Sequence, residues 1–156
     1  MDARWTKKNG KSYFGYKNHV CIDNKYKLVR KFGVTHAALH DSQYLENLLD
    51  DNNTSSQVWA DSAYRSRANF WILAQRGFQE RFQRKSQCNQ PLTKLEKQGN
   101  RTRSRIRCRV EHVFAAQLQK AGSLILRSIG LARAYVKIGL RNLAYNMDRY
   151  SLLASN

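Results

Sequence analysis

The fold of this chain is decided by the stretch YFGYKNHVCIDNKYKLVRKFGV, residues 13–34. Residues 13–23 are rich in aromatic and β-branched side chains, which favour strands because they pack well on a pleated surface. Asn24 and Lys25 favour a turn. Residues 26–34 then predict a returning strand, so the stretch as a whole predicts a β-hairpin.

Residues 1–12, MDARWTKKNGKS, precede this hairpin and are polar and basic. They show no hydrophobic periodicity and therefore predict a loop or arm. We expect a basic arm over residues 1–12, followed by a folded part over residues 13–153.

Helix and strand signals alternate after the hairpin. The predicted elements are a short helix beginning at Asp41 or Ser42, a short strand at residues 58–60, a helix from Ser66 that stops at Gly77, and a short strand at residues 78–82. The strand VWA at 58–60 is followed directly by Asp61. A buried strand presents a carboxylate at its C-terminal end in this way.

The last third of the chain predicts helices. Pro91 and Thr93 begin a brief helical segment that ends near Gly99. From about residue 102 the apolar residues follow helical spacing: Ile106, Val110, Val113, Phe114 and Leu118. A final helix over about 131–153 carries Val136, Leu140, Leu143, Met147 and Tyr150. The predicted order is strands first, then alternating helix and strand, then helices. This order predicts a mixed α/β fold.

The charge balance points to an anionic partner. The 156 residues carry 28 Lys+Arg against 11 Asp+Glu, a formal net charge of +17. Such a surface suits nucleic acid, an anionic membrane or a polyacidic protein. No apolar run approaches the ~20 residues of a membrane-spanning helix, and the first residues do not have the basic-then-apolar pattern that resembles a signal peptide. Cys21, Cys88 and Cys108 form no C-x-x-C pair and predict reduced thiols. We expect one cytoplasmic domain that contacts no membrane.

The most basic segment is RTRSRIRCRVEHVFAAQLQ, residues 101–119, with a single carboxylate at Glu111. Its arginines occupy every second position: Arg101, Arg103, Arg105, Arg107 and Arg109. On the predicted helix, Arg103, Arg107 and Glu111 share a face. One interpretation of Glu111 is therefore a solvated ion pair with Arg107, worth ~0.3 to 0.5 kcal/mol.

A second interpretation joins Glu111 with Asp61 in a divalent-metal site. Mg²⁺ prefers carboxylate oxygens together with water and phosphate, and two such ions ~3.5 to 4 Å apart drive in-line phosphoryl transfer. The arginines around Glu111 would then hold a nucleic-acid backbone. For Asp61 alone, a helix or turn cap remains the alternative.

Two motifs in combination resemble the DDE transposases of bacterial insertion sequences. These motifs are WADSAYRS, residues 59–66, and RIRCRVEHVF, residues 105–114. More narrowly, they resemble the branch whose glutamate lies in a Tyr-x2-Arg-x3-Glu-x6-Lys signature. KSYFGYKNHVCID at 11–23 and IGLARAYVKIGLRNLAYNM at 129–147 are similar to this branch too. The resemblance covers roughly residues 2–153.

The resemblance implies roles for individual residues. Asp61 matches the second catalytic aspartate, Glu111 the catalytic glutamate and Arg107 the signature arginine. The signature tyrosine position is Ser104 here, which puts the family's DNA-end contact there in doubt. The signature lysine position is likewise Leu118, with Lys120 two residues later.

The fold that the resemblance implies is an RNase H-like mixed sheet flanked by helices. In this fold the strand order is 3-2-1-4-5, and the central first strand carries the first catalytic aspartate. That strand has no match in this chain, and Asp2 and Asp23 are poor matches for its aspartate. We therefore expect residues 13–153 to be the C-terminal part of the catalytic domain, incomplete because the first strand is missing. An N-terminal transposase fragment or a homo-oligomer would be its partner.

The function that the resemblance implies is cleavage of double-stranded DNA at element ends, followed by strand transfer, with Mg²⁺ or Mn²⁺ as cofactor. Asp61 and Glu111 would be the catalytic metal ligands. The basic residues expected to hold DNA are Arg65, Arg101, Arg103, Arg105, Arg107, Arg109, Lys120, Lys7, Lys8 and Lys11. One alternative is a catalytically inactive DNA-binding fragment or inhibitor derived from a transposase. A weaker alternative, a ribosomal-type RNA-binding protein, lacks an RNP-like aromatic motif or Gly-rich loop.

Overall fold

The computed structural model describes residues 3–8, 10–86, 88, 90–126 and 128–155. The strands are β1 (Arg4–Lys8), β2 (Lys11–Ile22), β3 (Val29–His36), β4 (Gln57–Val58) and β5 (Gln79–Glu80). The helices are α1 (Leu45–Leu48), α2 (Arg67–Gln75), α3 (Lys94–Ala121) and α4 (Leu131–Ala154), with single 3-10 turns at Asp41–Tyr44 and Ser62–Tyr64. The mixed α/β class is confirmed.

The described strands form two sheets. Strands β1, β2 and β3 make an antiparallel sheet in that order, and β4 pairs with β5 in parallel. The predicted hairpin is confirmed by the β2–β3 pairing, in which Tyr16 lies opposite His36 and Val20 opposite Phe32. A register shift between Cys21 and Ile22 interrupts this pairing near the turn.

The predicted loop over residues 1–12 is wrong where the structure describes it, because Arg4–Lys8 form β1. This strand pairs with the first part of β2, with Trp5 opposite Phe14 and Lys8 opposite Lys11. The residues of β1 are mostly exposed, so they lack the alternation of apolar and polar side chains that reveals a half-buried strand.

The predicted break near Gly99 is also wrong, because α3 is continuous over 28 residues. A glycine within a helix costs only about 1 kcal/mol relative to alanine, which tertiary contacts can outweigh. A Cβ atom at Gly99 would lie 2.7 Å from Nη1 of Arg103, one turn later. The glycine therefore leaves room for the Arg103 guanidinium to lie against the helix.

The chain divides into two compact units. The first contains Met1–His40 and Val110–Asn156, and the second contains Asp41–Arg109. Helix α3 contributes to both, since Lys94–Arg109 belong to the second unit and Val110–Ala121 to the first.

The core of the first unit forms where α4 packs on the three-stranded sheet. One cluster contains the buried side chains of Val29, Val113 and Tyr145, and a second contains Val34, Ala134 and Ile138. The buried residues of α4 are Ala134, Ile138, Asn142 and Tyr145, a spacing that keeps one face of the helix on the sheet.

Buried amides fix α4 in this position. The Asn142 carboxamide, 2% exposed, accepts a hydrogen bond from Gln117 Nε2 on α3 at 2.8 Å and one from Asn18 Nδ2 on β2 at 3.2 Å. Farther along α4, the Asn146 carboxamide accepts from the backbone N–H of Val29 and donates to its carbonyl, both at 2.8 Å. These contacts join β2, β3, α3 and α4.

The apolar residues that marked the final helix in the sequence lie on its outer face. Val136, Leu140, Leu143, Met147 and Tyr150 are each between 54% and 67% exposed. Helix α4 thus has two apolar faces, and periodicity alone does not tell which one faces the sheet. The face with smaller and amide side chains is the buried one.

The second unit has its own small core. Leu45, Leu49, Leu73 and Phe82 are buried together, and half-buried Val58, Ala60, Tyr64, Phe70, Ile72 and Phe78 pack around them. The predicted start of α2 is confirmed, because the Ser66 Oγ accepts a hydrogen bond from the backbone N–H of Asn69 at 3.1 Å. Gly77, with φ +70°, follows the end of this helix.

Two further findings concern the described residues only. None of their helices combines the length and hydropathy required to cross a membrane. Cys21, Cys88 and Cys108 form no disulfide bond in the part of the chain that the structure describes.

Candidate functional site

Asp61 lies at the end of the parallel β4–β5 ladder. The backbone N–H groups of Arg81 and Gln83 donate to the carbonyls of Val58 and Ala60 at 2.8 and 3.0 Å, so this ladder extends to the residue before Asp61. Strand β4 itself ends at Val58, so the predicted strand at 58–60 is confirmed only in its first residue, although hydrogen bonding continues to the residue before Asp61. Asp61 Oδ1 also accepts a hydrogen bond from the Ala63 N–H at 2.7 Å, which caps the turn at Ser62–Tyr64.

A second carboxylate acts on the same turn. Burial raises the pKa of Tyr64, and the negative charges of Asp41 and Asp61 raise this pKa further. Asp41 therefore lies close enough to influence the Tyr64 hydroxyl. Sequence reasoning assigned Asp41 only to the start of a helix, since nothing in the sequence brings residues 41 and 61 together. Their proximity to Tyr64 arises from the contact between the two 3-10 turns.

The first carboxylate of α3, Glu96, has a structural role. It forms a capping box with Thr93: the Thr93 N–H donates to Glu96 Oε2 at 3.0 Å, and the Glu96 N–H donates to Thr93 Oγ1 at 3.2 Å. The hydrogen bond from the Thr93 backbone, followed by that from its side chain, lowers the pKa of Glu96. Nearby Arg84 lowers this pKa as well.

The beginning of α3 is anchored on the segment that follows β5. The Asn100 carboxamide accepts from the Arg84 N–H at 2.9 Å and donates to the Arg84 carbonyl at 2.7 Å. One turn later, Ser104 Oγ accepts a hydrogen bond from Gln83 Nε2 at 2.6 Å. Ser104, which the resemblance matches to the signature tyrosine position, thus has a side-chain hydrogen bond within the second unit.

The arginines of α3 differ in exposure. Arg101 and Arg105 are exposed, and Arg103, Arg107 and Arg109 are half-buried. The Arg103 guanidinium lies against Gly99 and donates from Nη1 to Asn100 Oδ1 at 3.5 Å. Part of the arginine run therefore stabilises the helix surface, while Arg101 and Arg105 present their charges to solvent.

Glu111 is exposed on α3, one turn after Arg107. It belongs to the first compact unit, whereas Asp61 belongs to the second. Asp61 and Glu111 each have carboxylate oxygens, which are the ligands that Mg²⁺ prefers. The described residues contain no group of three or more His, Cys, Asp or Glu side chains placed to hold a metal ion. The geometry therefore supplies single carboxylate donors and not a complete metal site, and we derive no reaction step through a metal from it.

The other predicted DNA contacts lie in several places. Lys120 forms an ion pair with Asp148 across the last turns of α3 and α4. Arg65 Nη1 lies 3.6 Å from Glu80 Oε1. The Cζ atom of Arg65 also lies 5.1 Å from the centroid of the Phe70 ring. Lys7 and Lys11 are exposed on the β1–β2 hairpin, and the side chain of Lys8 lies outside the described part of the chain.

Comparison with known families identifies the chain. The sequence model described as "Transposase DDE domain" matches residues 1–147, nearly the whole chain. The chain belongs to this transposase family. Members of the family generally use a divalent metal, which agrees with the oxygen donors of Asp61 and Glu111 without locating an ion.

One similar curated protein is the "Transposase for insertion sequence element IS1106" of Neisseria meningitidis serogroup B. The two are 33% identical over 158 residues, which cover 99% of this chain and 54% of the relative. The chain thus spans about half the length of the curated relative that it matches. No solved structure matches the chain. The resemblance to insertion-sequence transposases is confirmed.

Proposed function

We propose that this chain forms part of the catalytic domain of an insertion-sequence transposase that cleaves double-stranded DNA at the ends of its element and joins those ends to a target. In this proposal Asp61 and Glu111 are metal ligands, and the exposed arginines of α3 bind the DNA backbone. The family match over residues 1–147 supports the class of reaction.

The observation that carries the proposal is the surface of α3. Two exposed arginines, Arg101 and Arg105, precede the exposed carboxylate of Glu111 on one helix. Glu96 is held in a capping box, whereas the side chain of Glu111 is exposed on α3. In the proposal, the exposed arginines bind DNA phosphates, and the same helix supplies the Glu111 carboxylate.

The strand pairings support the RNase H-like part of the proposal. In the RNase H-like fold the strand order is 3-2-1-4-5. If strand 1 of that fold is absent, two neighbouring pairs remain: strand 3 with strand 2, and strand 4 with strand 5. Among the described residues, β2 pairs with β3 in antiparallel fashion and β4 with β5 in parallel, and the short β1 adds a third strand beside the first part of β2. We therefore propose that catalysis requires a further strand and carboxylate beyond those contributed by Asp61 and Glu111, from an N-terminal transposase segment.

The residues of this chain have separate tasks in the proposed reaction. Bound Mg²⁺ would activate the attacking water or hydroxyl and stabilise the charge that develops on the phosphate. Asp61 is kept oriented by its hydrogen bond from the Ala63 N–H. The Arg101 and Arg105 guanidinium groups would neutralise phosphates and fix the position of the DNA.

The test is nicking of DNA that carries an element end. The enzyme would be a transposase in which the family's first aspartate strand precedes residue 1, assayed with Mg²⁺. Glu111→Gln keeps the size and shape of the side chain but removes its charge. We expect this variant to lose nicking activity by at least about 100-fold, since a ligand of the catalytic metal would be weakened.

The matched control is Glu46→Gln, which makes the same chemical change at an exposed residue of α1. This variant should nick DNA at the rate of the unmodified enzyme. Equal activity of the Glu111→Gln and Glu46→Gln enzymes would refute the catalytic assignment of Glu111.

A second candidate is a catalytically inactive DNA-binding protein that inhibits the complete transposase. It is favoured by the Asp61 cap, which gives this carboxylate a structural role without any metal, and by the net charge of +17. It predicts that the chain alone binds element-end DNA in a salt-dependent manner and reduces nicking by the complete enzyme. Failure to compete with the complete enzyme at saturating concentrations would exclude it.

A further inference from the structure

The β1–β2 hairpin forms a two-stranded ribbon with unusual exposure. Residues Arg4–Lys8 pair with Lys11–Gly15, and the pairing of β2 with β3 begins only at Tyr16. We call the paired segments Arg4–Lys8 and Lys11–Gly15 the basic ribbon. Its described side chains are mostly exposed, with Thr6 half-buried.

One face of the basic ribbon carries an exposed pair of aromatic rings. Trp5 and Phe14 lie opposite each other in the register, with ring centroids 5.2 Å apart and ring planes at 50°. Trp5 is 66% exposed and Phe14 is 51% exposed. Large apolar rings that are held together in solvent mark an interaction surface more often than isolated apolar residues do.

The charge around the rings selects the partner. Residues 3–22 contain five basic residues and no acidic residue; the basic ones are Arg4, Lys7, Lys8, Lys11 and Lys17. Because alternate residues of a strand share a face, Lys7 lies on the same face as Trp5. A partner must therefore offer negative charge and a flat apolar surface within one or two residues of each other. Nucleic acid, with phosphates and base rings in every nucleotide, meets both requirements.

The geometry of the ring pair favours unpaired bases over intact duplex. The faces of paired bases are already stacked inside a duplex, so an aromatic side chain reaches a base face only at a frayed end, a nick or a single strand. Since the two rings are 5.2 Å apart and tilted by 50°, they leave no parallel slot for a base between them. A base can stack on the outer face of one ring, and Trp5 is the larger and more exposed of the two.

We propose that the basic ribbon binds unpaired DNA bases, with Trp5 as the stacking surface, Phe14 as the ring that holds Trp5 in place, and Lys7 at the adjacent phosphate. This inference rests on the proposed function, in which DNA cleavage at an element end creates a break beside which bases can unpair. It adds a binding site that recognises the opened end of the DNA.

The experiment measures binding of the whole chain to two labelled DNA probes by fluorescence anisotropy. One probe is a blunt duplex, and the other is the same duplex with a short single-stranded tail that carries 2-aminopurine next to the junction. The variants are Trp5→Ala, Trp5→Phe and Trp71→Ala. Trp71 is the matched control, because it is also 66% exposed but lies on α2, outside the ribbon.

We expect Trp5→Ala to weaken binding of the tailed probe by about 5-fold to 150-fold, the range for loss of one stacked base. Its affinity for the blunt duplex should change by less than about twofold. The chain should quench 2-aminopurine fluorescence, and Trp5→Ala should abolish the quenching, while Trp5→Phe restores part of both effects. Trp71→Ala should behave as the unmodified chain does on both probes.

Several outcomes would overturn the inference. If the chain binds both probes and Trp5→Ala changes neither affinity nor quenching, the ribbon inference fails while the proposed function stands. An equal loss on the two probes would show that Trp5 supports folding or general DNA binding. If the chain binds neither probe, the ribbon inference fails, whereas the proposed function is decided separately by the nicking assay with the complete enzyme. Trp5-dependent binding to vesicles containing anionic lipid, without binding to the tailed probe, would assign the ribbon to a membrane surface instead.

Discussion

The two faces of α4 provide a direct test of the fold. Ile138 lies on the buried face, where it packs with Val34 and Ala134 and is 5% exposed. Leu140 lies two residues later on the outer face and is 60% exposed. Truncation of each residue to alanine removes a similar number of carbon atoms from the same helix. The pair therefore isolates the effect of burial.

The expected effects follow from the buried area. Ile138→Ala removes three carbon atoms from a filled site, and at about 0.8 kcal/mol per buried methylene, with a further term for the cavity, the free energy of unfolding should fall by about 2 to 5 kcal/mol. Leu140→Ala removes carbon atoms that are largely solvated already. Its cost should be about 1 kcal/mol or less, since alanine also has the higher helix propensity.

The assay is urea unfolding followed by circular dichroism at 222 nm, with both variants compared to the unmodified chain at the same protein concentration. The account predicts a markedly lower midpoint for Ile138→Ala and a midpoint close to that of the unmodified chain for Leu140→Ala. Equal losses for the two variants, or a larger loss for Leu140→Ala, would refute the assignment of the buried face.

Three further predictions follow from named contacts. Asn142→Leu should lower the free energy of unfolding by about 1 to 3 kcal/mol in urea denaturation, because Gln117 Nε2 loses its 2.8 Å hydrogen bond in a buried position; an unchanged midpoint would contradict this. The folded-state pKa of Glu96 is lowered, so the stabilisation by its charge is present above the unfolded pKa and is lost as the pH falls through the folded pKa. The Glu96→Gln variant should accordingly be less stable than the parent in thermal unfolding at neutral pH, and the difference should vanish in acid; a difference that persists in acid would argue against this ionic contribution. Arg105→Ala should reduce the slope of log K against log salt for duplex DNA by about 1, whatever the DNA sequence; an unaltered slope would show that exposed Arg105 contacts no phosphate.

Local patterns in the sequence predicted most elements of the fold. The hairpin followed from aromatic and β-branched residues around a turn, and the start of α2 followed from its serine cap. The errors have physical causes. Strand β1 is exposed on both faces and so has no apolar alternation. Gly99 does not end the helix, because its cost is small and the Arg103 side chain lies over it. The buried face of α4 is decided by tertiary contacts of Ala134 and Asn142, which periodicity does not reveal.

The candidate site was only partly predictable. The strand-end position of Asp61 followed from the short apolar run before it, and the position of Glu111 on a helix followed from helical spacing. The influence of Asp41 on Tyr64 depends on contact between two turns about 20 residues apart in sequence, and no local pattern encodes such a contact. The roles of Asp61 and Glu111 as metal ligands stay a proposal that depends on the family.

The most direct test of the central claim, that Glu111 binds the catalytic metal, is a change of metal specificity. Mg²⁺ takes oxygen ligands and accepts a thiolate poorly, whereas the transition metal Mn²⁺ tolerates the softer ligand better. Glu111→Cys is introduced into the complete transposase, and nicking of element-end DNA is measured in Mg²⁺ and in Mn²⁺. The account predicts that activity is lost in Mg²⁺ and partly restored in Mn²⁺, while Glu46→Cys is active in both. Full activity of Glu111→Cys in Mg²⁺, or the same loss in the two metals, would contradict it.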